Sequence, residues 1–394
     1  MRLPLDGLTV VAVEQAVAAP LATRHLADAG ARVIKVERVA GGDFARQYDR
    51  KVRGMSSHFA WLNRNKESIA TDLTTEAGKE ILRRLLADAD VFVYNLAPGA
   101  MARLGFPVDH LRATYPRLIV AELTGYGDAG PLRDRKAYDM LIQAEAGLVS
   151  ITGSEDTPSK SGIPVADIAA GGYLVQGVLT ALIERGRTGS GTALRVSMFD
   201  AMVEWMGYPI YYTLFGGTQP RRFGLAHPTV VPYDAYPTAD GAHVIIAVQN
   251  DAGWRALATR VLDRPDLVDD PKFATNVART QNRREVDRIV AERTVRSTAE
   301  ELLDALDRAG VAGGQVKDVA AVIAHPQLVA RDRWTTVDSP VGRIEAVLPP
   351  LAPSPEMARM DPIPALGEHS AAILSELGYD EAERDRFRAE GAVA

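Results

Sequence analysis

The sequence predicts an α/β fold in which a Rossmann-like parallel sheet forms a large domain, followed by a smaller α+β domain. Three observations predict it. Short, apolar, β-branched runs alternate with helical patterns from the N-terminus onward. These runs end in small or polar loops, the arrangement that puts loops at the carboxyl edge of a sheet, where ligands bind. Past about residue 225 the pattern changes to strands alternating around a turn, then amphipathic helices. At 394 residues the chain also exceeds what one hydrophobic core usually supports.

Taken in order, Leu8 to Val13 (LTVVAV) reads as a buried parallel strand. Pro20 to Gly30 follows as a helix, with Pro in its first turn and Gly at its end. Ala31 to Glu37 (ARVIKVE) closes one βαβ unit. The intervening turn, Glu14-Gln15-Ala16-Val17-Ala18-Ala19, is not GxGxxG, so dinucleotide binding through a tight glycine turn is not supported. Further strands are expected at Ser68 to Asp72, Val91 to Asn95 and Leu118 to Leu123, with a helix at Thr75 to Ala87. The aromatic-rich segment from Met202 to about Phe223 reads as one long crossing helix. Strands at Tyr233 to Pro237 and His243 to Val248, and helices at Ala252 to Leu262, Arg283 to Arg293 and Ala299 to Ala309, make up the smaller domain. The tail from His325 carries prolines up to Pro353 and then two short helices. The expected bounds are 1–224, 225–325 and 326–394.

Composition narrows the function. Net charge is −6 with acids and bases interspersed, which offers nucleic acid no basic stripe. The absence of cysteine removes disulfides, thiolate catalysis and Cys-ligated zinc. Seven histidines form no HExxH-like ligand pair, so no metal site is expected. No apolar run is expected to approach the roughly 20 residues of a membrane span, and the N-terminal stretch lacks a signal-peptide layout. A metal-free cytoplasmic protein is expected.

The chemistry concentrates between Ser161 and Ala201. Asp167 precedes Ala169, Ala170, Gly171 and Gly172, and an apolar helical segment runs from Tyr173 to Ile183. Glu184 to Arg187 suits a helix C-terminus, and Gly189-Ser190-Gly191 turns the chain into a short strand, Ala193 to Val196. An acid just before a helix accepts backbone N–H groups and feels the positive helix end. That environment favours the ionised form, which suits a nucleophile. Asp167 is equally a plain helix cap on this reading, while the glycines leave the backbone open to a ligand.

This stretch resembles the active-site segment of the family III (CaiB/BaiF, formyl-CoA transferase-like) CoA-transferases. VIKVER with GGD after it, NKESIATDL, ADVFVYNLAPGAMARLGF, LIVAELTGYGDAGP and RKAYD resemble successive blocks of that family, in its order. The resemblance implies that Asp167 is the acyl-accepting nucleophile and that CoA or acyl-CoA is a substrate, with no tightly bound cofactor. It assigns Arg38 to the adenosine-phosphate end, Leu73 to the adenine, and Asn95, Leu96 and Arg103 to further CoA contacts. Lys136 and Tyr138 fall near the pantetheine and diphosphate, and Met198 matches a position in the turn after the glycine hairpin. It also implies that the tail returns to the large domain and that two chains interlock as a homodimer. On composition alone Arg38, Arg103 and Lys136 are equally solvated cations, and Tyr138 equally core filling.

Two positions depart from the pattern. Formyl-CoA transferases carry a glutamine two residues after the position of Gln15, where Val17 stands. They also carry a glycine run over the active site, where this chain has RRFGLAHP. Acyl selectivity is therefore expected to differ from formyl and oxalyl groups. Gln15, Gly171 and Gly172 are expected to face the acyl group; Arg221, Arg222 and His227 are expected to hold a second carboxylate, the alternative being that the arginines are solvated loop residues. Succinyl, mesaconyl, itaconyl and citramalyl groups fit. The α-methylacyl-CoA racemases share the Asp but pair it with a His-Asp, where this chain has Tyr138-Asp139. Lacking that partner base, two-base racemisation is disfavoured. A non-catalytic CoA-binding protein is the remaining alternative.

Overall fold

The computed structural model describes residues 2–352 and 354–394, so the expected Pro353 lies outside the described residues. In chain order the first elements are β1 (Thr9–Val13), α1 (Ala18–Asp28), β2 (Arg32–Glu37), α2 (Ser57–Leu62), β3 (Lys66–Ala70), α3 (Glu76–Ala87) and β4 (Val91–Tyr94). There follow α4 (Ala100–Arg103), α5 (Val108–Thr114), β5 (Ile119–Thr124), α6 (Asp139–Glu145), α7 (Leu148–Ile151), α8 (Val165–Thr188) and β6 (Ala193–Ser197). The six strands form one parallel sheet in the order β3-β2-β1-β4-β5-β6. The order reverses between β1 and β4, which opens a crevice at their carboxyl ends.

Both sheet faces are covered, and the two-residue period of a strand decides which side chain meets which layer. Val10, Ala12, Val91, Val93, Ile119 and Ala121 point to the layer built by α1 and α8. Val11, Val13, Phe92, Tyr94 and Val120 point the other way, to α3 and α5. At 24 residues α8 is long and apolar enough to cross a bilayer by length and composition, contrary to the expected absence of such a run. Its length has a packing reason: Ala169, Ala170, Leu174, Val178 and Ala181 are buried at helical spacing in the sheet-facing core. The helix ends at Gly189, whose φ of 75° suits a residue without Cβ.

Two compact units result, one of residues 1–148, 161–208 and 326–394, the other of 149–160 and 209–325. The tail places Ile373, Leu374, Tyr379 and Phe387 in the same core as Ile81 and Phe92. The expected long helix after Met202 is two helices, α9 (Met198–Trp205) and α10 (Gly207–Gly216). Gly207 and Pro209 account for the break, one by its entropy cost and the other by its missing N–H. The second unit carries an antiparallel sheet of β7 (Tyr233–Pro237), β8 (His243–Ala247) and β9 (Ala312–Gln315). It packs over Trp254, Leu257, Val286, Leu302 and Leu306.

Candidate active site

Helix α8 begins at Val165, so Asp167 lies inside its first turn and is not the cap. The N-cap position is Pro164, whose side chain accepts nothing. The cap comes from elsewhere in the fold: Asp139, opening α6, accepts the Ala166 N–H at 2.8 Å and the Asp167 N–H at 3.4 Å on Oδ1. Gln143, one turn along α6, donates to Asp139 Oδ2 at 2.6 Å and accepts the Ser161 N–H at 2.9 Å. The start of α8 is thus tied to α6 through side chains.

This geometry reverses one expectation. Burial, reinforced by the Asp139 carboxylate, pushes the Asp167 carboxyl up to about 7, and a hydrogen bond from the Ala18 N–H offsets only part of that. The environment opposes ionisation where the sequence suggested it would favour it, because the nearby acid and the lost water outweigh the helix end. A carboxyl held near neutrality is a stronger nucleophile when ionised than an ordinary aspartate, and is half charged near pH 7.

Ala18 is the first residue of α1, and the turn that leads into it is tightly held. Ala16 has a φ of 65°, the left-handed conformation a glycine adopts freely and an alanine at a cost of about 1 kcal/mol or more. Asn95, after β4, donates to the Gln15 carbonyl at 2.9 Å and accepts its N–H at 2.8 Å. Asp43 Oδ1 accepts the Ala16 N–H at 3.0 Å and the Ala45 N–H at 2.9 Å. Its Oδ2 accepts from Lys35 at 2.9 Å. Lys35 and Lys66 both donate to Glu14 Oε1, at 3.2 and 2.7 Å, and all three side chains are fully buried. Burial alone would neutralise Glu14 and Lys35. The surrounding charges win: Lys35 and Lys66 hold Glu14 below its ordinary value, and Asp43, Glu14 and Glu37 hold Lys35 above its own.

A cavity of about 200 Å³ opens beside this turn at the carboxyl ends of β1, β2 and β4. Gln15, Arg38, Leu73 and Leu96 line it, so four of the expected residues converge. Asn95 is spent on the Gln15 backbone. Arg38 donates to the Gly42 carbonyl at 3.2 and 3.0 Å, closing the hairpin that forms one wall. Arg103, on α4, is exposed and donates to the Pro98 carbonyl. Lys136 is exposed, and Tyr138 is 62% exposed, so the latter is not core filling. Met198 is buried in the sheet-facing core at the start of α9.

The two glycines separate in role. A Cβ on Gly171 would stand 2.7 Å from the Ala18 carbonyl oxygen, so this glycine lets α1 and α8 touch. Gly172 is exposed and has open space beside it. In the second unit, Arg222 donates to the carbonyls of Ser150, Ser154 and Glu155 at 2.8 to 3.1 Å, which makes it a clamp on the 149–160 segment. His227 accepts the Thr229 N–H on Nδ1 and stacks on Tyr233 at 5.2 Å. Burial and the Arg283 charge lower its pKa.

Three residues were missed by sequence reasoning: Asp43, Tyr48 and Asp139. Burial and the charges of Asp43, Asp167 and Tyr138 push the Tyr48 phenol up to about 12, which puts this hydroxyl in the same electrostatic neighbourhood as Asp167. Only the GGD before a helical turn hinted at Asp43, as a cap.

The profile of CoA-transferase family III matches residues 5–370, and the chain belongs to that family. It is a CoA-transferase, and CoA thioesters are the substrates of such enzymes. It is 33% identical to the succinyl-CoA:glutarate CoA-transferase of Homo sapiens over 99% of this chain and 90% of that protein. With the succinate–glutarate CoA-transferase of Agrobacterium fabrum it shares 36% identity over 95% of this chain and 96% of the other. A CaiB/BaiF family protein from Brucella suis has the same fold, with a TM-score of 0.84 and 37% identity, covering 96% of this chain and 100% of that one.

Proposed function

We propose that the enzyme moves CoA from succinyl-CoA to a dicarboxylic acid through a covalent intermediate on Asp167. The observation that carries this reading is the Asp167 carboxyl held near neutrality in the first turn of α8, facing the Ala18 N–H at the start of α1. The carboxylate attacks the thioester carbonyl, the C–S bond breaks, and the CoA thiolate leaves with its electron pair, giving a mixed anhydride. The thiolate then attacks the aspartyl carbonyl, releasing succinate and leaving an aspartyl-CoA thioester. The incoming carboxylate displaces the thiolate again, and the thiolate takes the new acyl group, restoring Asp167. The Ala18 N–H at the start of α1 is assigned the role of receiving developing negative charge.

The dicarboxylate class is supported by the succinyl and glutarate specificities in the names of both relatives. Within RRFGLAHP, Arg221 is exposed, while Arg222 is engaged by three carbonyls. We therefore assign recognition of the second carboxylate to Arg221 and His227. CoA is assigned to the cavity at Arg38, Leu73 and Leu96, where Gln15, the expected acyl contact, also lies, with Arg103, Lys136 and Tyr138 toward its phosphates and pantetheine. The chain is taken to act as a cytoplasmic homodimer. The apolar side chains on α10 support the dimer, with Tyr211, Leu214 and Phe215 all more than 60% exposed.

The test is turnover of succinyl-CoA against a panel of mono- and dicarboxylic acids, read by mass spectrometry, with hydroxylamine as a trap. Hydroxylamine in the presence of succinyl-CoA is expected to inactivate the enzyme and to mark Asp167. Full turnover by Asp167→Asn would remove Asp167 from the chemistry, and equal use of monocarboxylates would remove the dicarboxylate assignment. Arg221→Ala or His227→Ala is expected to raise the dicarboxylate KM at unchanged CoA affinity.

A further inference from the structure

Asp43 lines the cavity and also bonds the turn that leads to the Ala18 N–H facing Asp167, and the chemistry above assigns it no part. Asp43 is buried, and every polar atom it owns is committed. Its N–H donates to Glu37 Oε2 at 3.0 Å, and Oδ2 accepts from Lys35. Oδ1 accepts the N–H groups of Ala45 and Ala16. On one side of it stands the hairpin Arg38–Gly42 that walls the cavity, closed by the Arg38 bonds to the Gly42 carbonyl. On the other side stands Ala16 in its left-handed conformation, two residues before the N–H that faces Asp167. A strained residue persists only when its surroundings hold it. Here Asp43 holds Ala16 itself, and Asn95 holds the preceding residue, Gln15.

We propose that Asp43 is a positioning residue that couples occupation of the nucleotide end of the cavity to the alignment of the α1 N-terminus on Asp167. It rests on the reading of the cavity as the CoA nucleotide site and of Asp167 as the acyl carrier. Ordering the 38–43 hairpin around a nucleotide fixes Asp43, Asp43 fixes Ala16, and Ala16 fixes the start of α1. Binding energy from the unreactive end of the thioester is thereby used at the reacting end, and it appears in kcat rather than in KM.

The first test uses the wild-type enzyme and a donor cut in two. S-succinylpantetheine carries the reactive thioester, and adenosine 3′,5′-bisphosphate carries the nucleotide end. Saturating adenosine 3′,5′-bisphosphate is expected to accelerate transfer from S-succinylpantetheine by about tenfold or more. No acceleration overturns the proposal.

The second test asks whether Asp43 is the link, with the buried charge kept balanced by removing Lys35 as well. Lys35→Met with Asp43→Asn leaves an oxygen for the Ala16 N–H, and Lys35→Met with Asp43→Ala does not. With succinyl-CoA the second variant is expected to turn over about 30-fold more slowly than the first, at a CoA dissociation constant within about threefold of it. With S-succinylpantetheine alone the two are expected to be about equal, and adenosine 3′,5′-bisphosphate is expected to accelerate only the first. Equal turnover of succinyl-CoA by both, or an equal loss on both donors, overturns the coupling. If the alanine variant does not fold, Lys35→Met with Asp43→Val, which also offers no acceptor to the Ala16 N–H, takes its place in the same comparison. The underlying reading fails separately, through full activity of Asp167→Asn, and the proposal falls with it.

Discussion

At the scale of single residues, the decisive quantity is the proton on Asp167. Two carboxyls share one helix start: Asp139 binds the N–H groups of Ala166 and Asp167, while the Asp167 side chain is left with a hydrogen bond from Ala18. Because only the ionised form attacks, kcat/KM is expected to rise with pH through an apparent pKa near 7. Asp139→Asn keeps an acceptor for the cap but removes a like charge, so the same profile is expected to move to lower pH. An unmoved profile would show that Asp139 does not set it.

The same shift has a stability consequence. Between about pH 4 and 7 folded Asp167 holds a proton that the unfolded chain has released, so its contribution to stability is lost as pH rises through that window. Asp167→Asn is therefore expected to be more stable than the wild type near pH 8, by roughly 2–4 kcal/mol, and to lose that advantage toward pH 4. Urea melts at the two pH values measure it.

At the scale of elements, the contact between α1 and α8 sets where the Ala18 N–H points. Gly171 allows it, with no room for a Cβ against the Ala18 carbonyl, whereas Gly172 has open space. Gly171→Ala is expected to cost about 1–3 kcal/mol and to lower kcat by displacing the start of α1. Gly172→Ala is expected to be neutral or to stabilise by about 0.5–1 kcal/mol, since alanine is the better helix residue. Thermal melts and turnover of the two variants separate these outcomes. Equal effects of the two would contradict the close approach. The break between α9 and α10 belongs to this scale too: the aromatic-rich run read as one helix, and Gly207 with Pro209 divides it.

At the scale of the molecule, α10 presents Tyr211 and Phe215 stacked at 6.2 Å, with Leu214 beside them, all exposed. A face of that kind is covered by a partner in a stable assembly. Sedimentation is expected to give a dimer, and Leu214→Glu with Phe215→Glu to weaken it. A wild-type monomer at micromolar concentration would overturn the homodimer.

The sequence by itself determined the sheet, the chemistry-bearing helix and the class of enzyme. Strand alternation, the helical spacing after Asp167 and the family blocks are all local patterns, written in the order of the residues. Gln15, Arg38, Leu73 and Leu96 were named through the family resemblance, and they line one cavity because each follows a strand and parallel strands deliver their ends to one edge. What only the tertiary structure decided is which groups face one another across that edge. Asp139 caps a helix that starts 26 residues later, Asp43 holds Ala16, and Asp167 meets Ala18. Periodicity carries no signal for such pairs, since a hydrogen bond between distant segments is fixed by packing and leaves no spacing to read. For the same reason the sign of the Asp167 shift was out of reach. A helix end is visible in the sequence, but the burial and the second carboxylate that outweigh it exist only once the chain has folded.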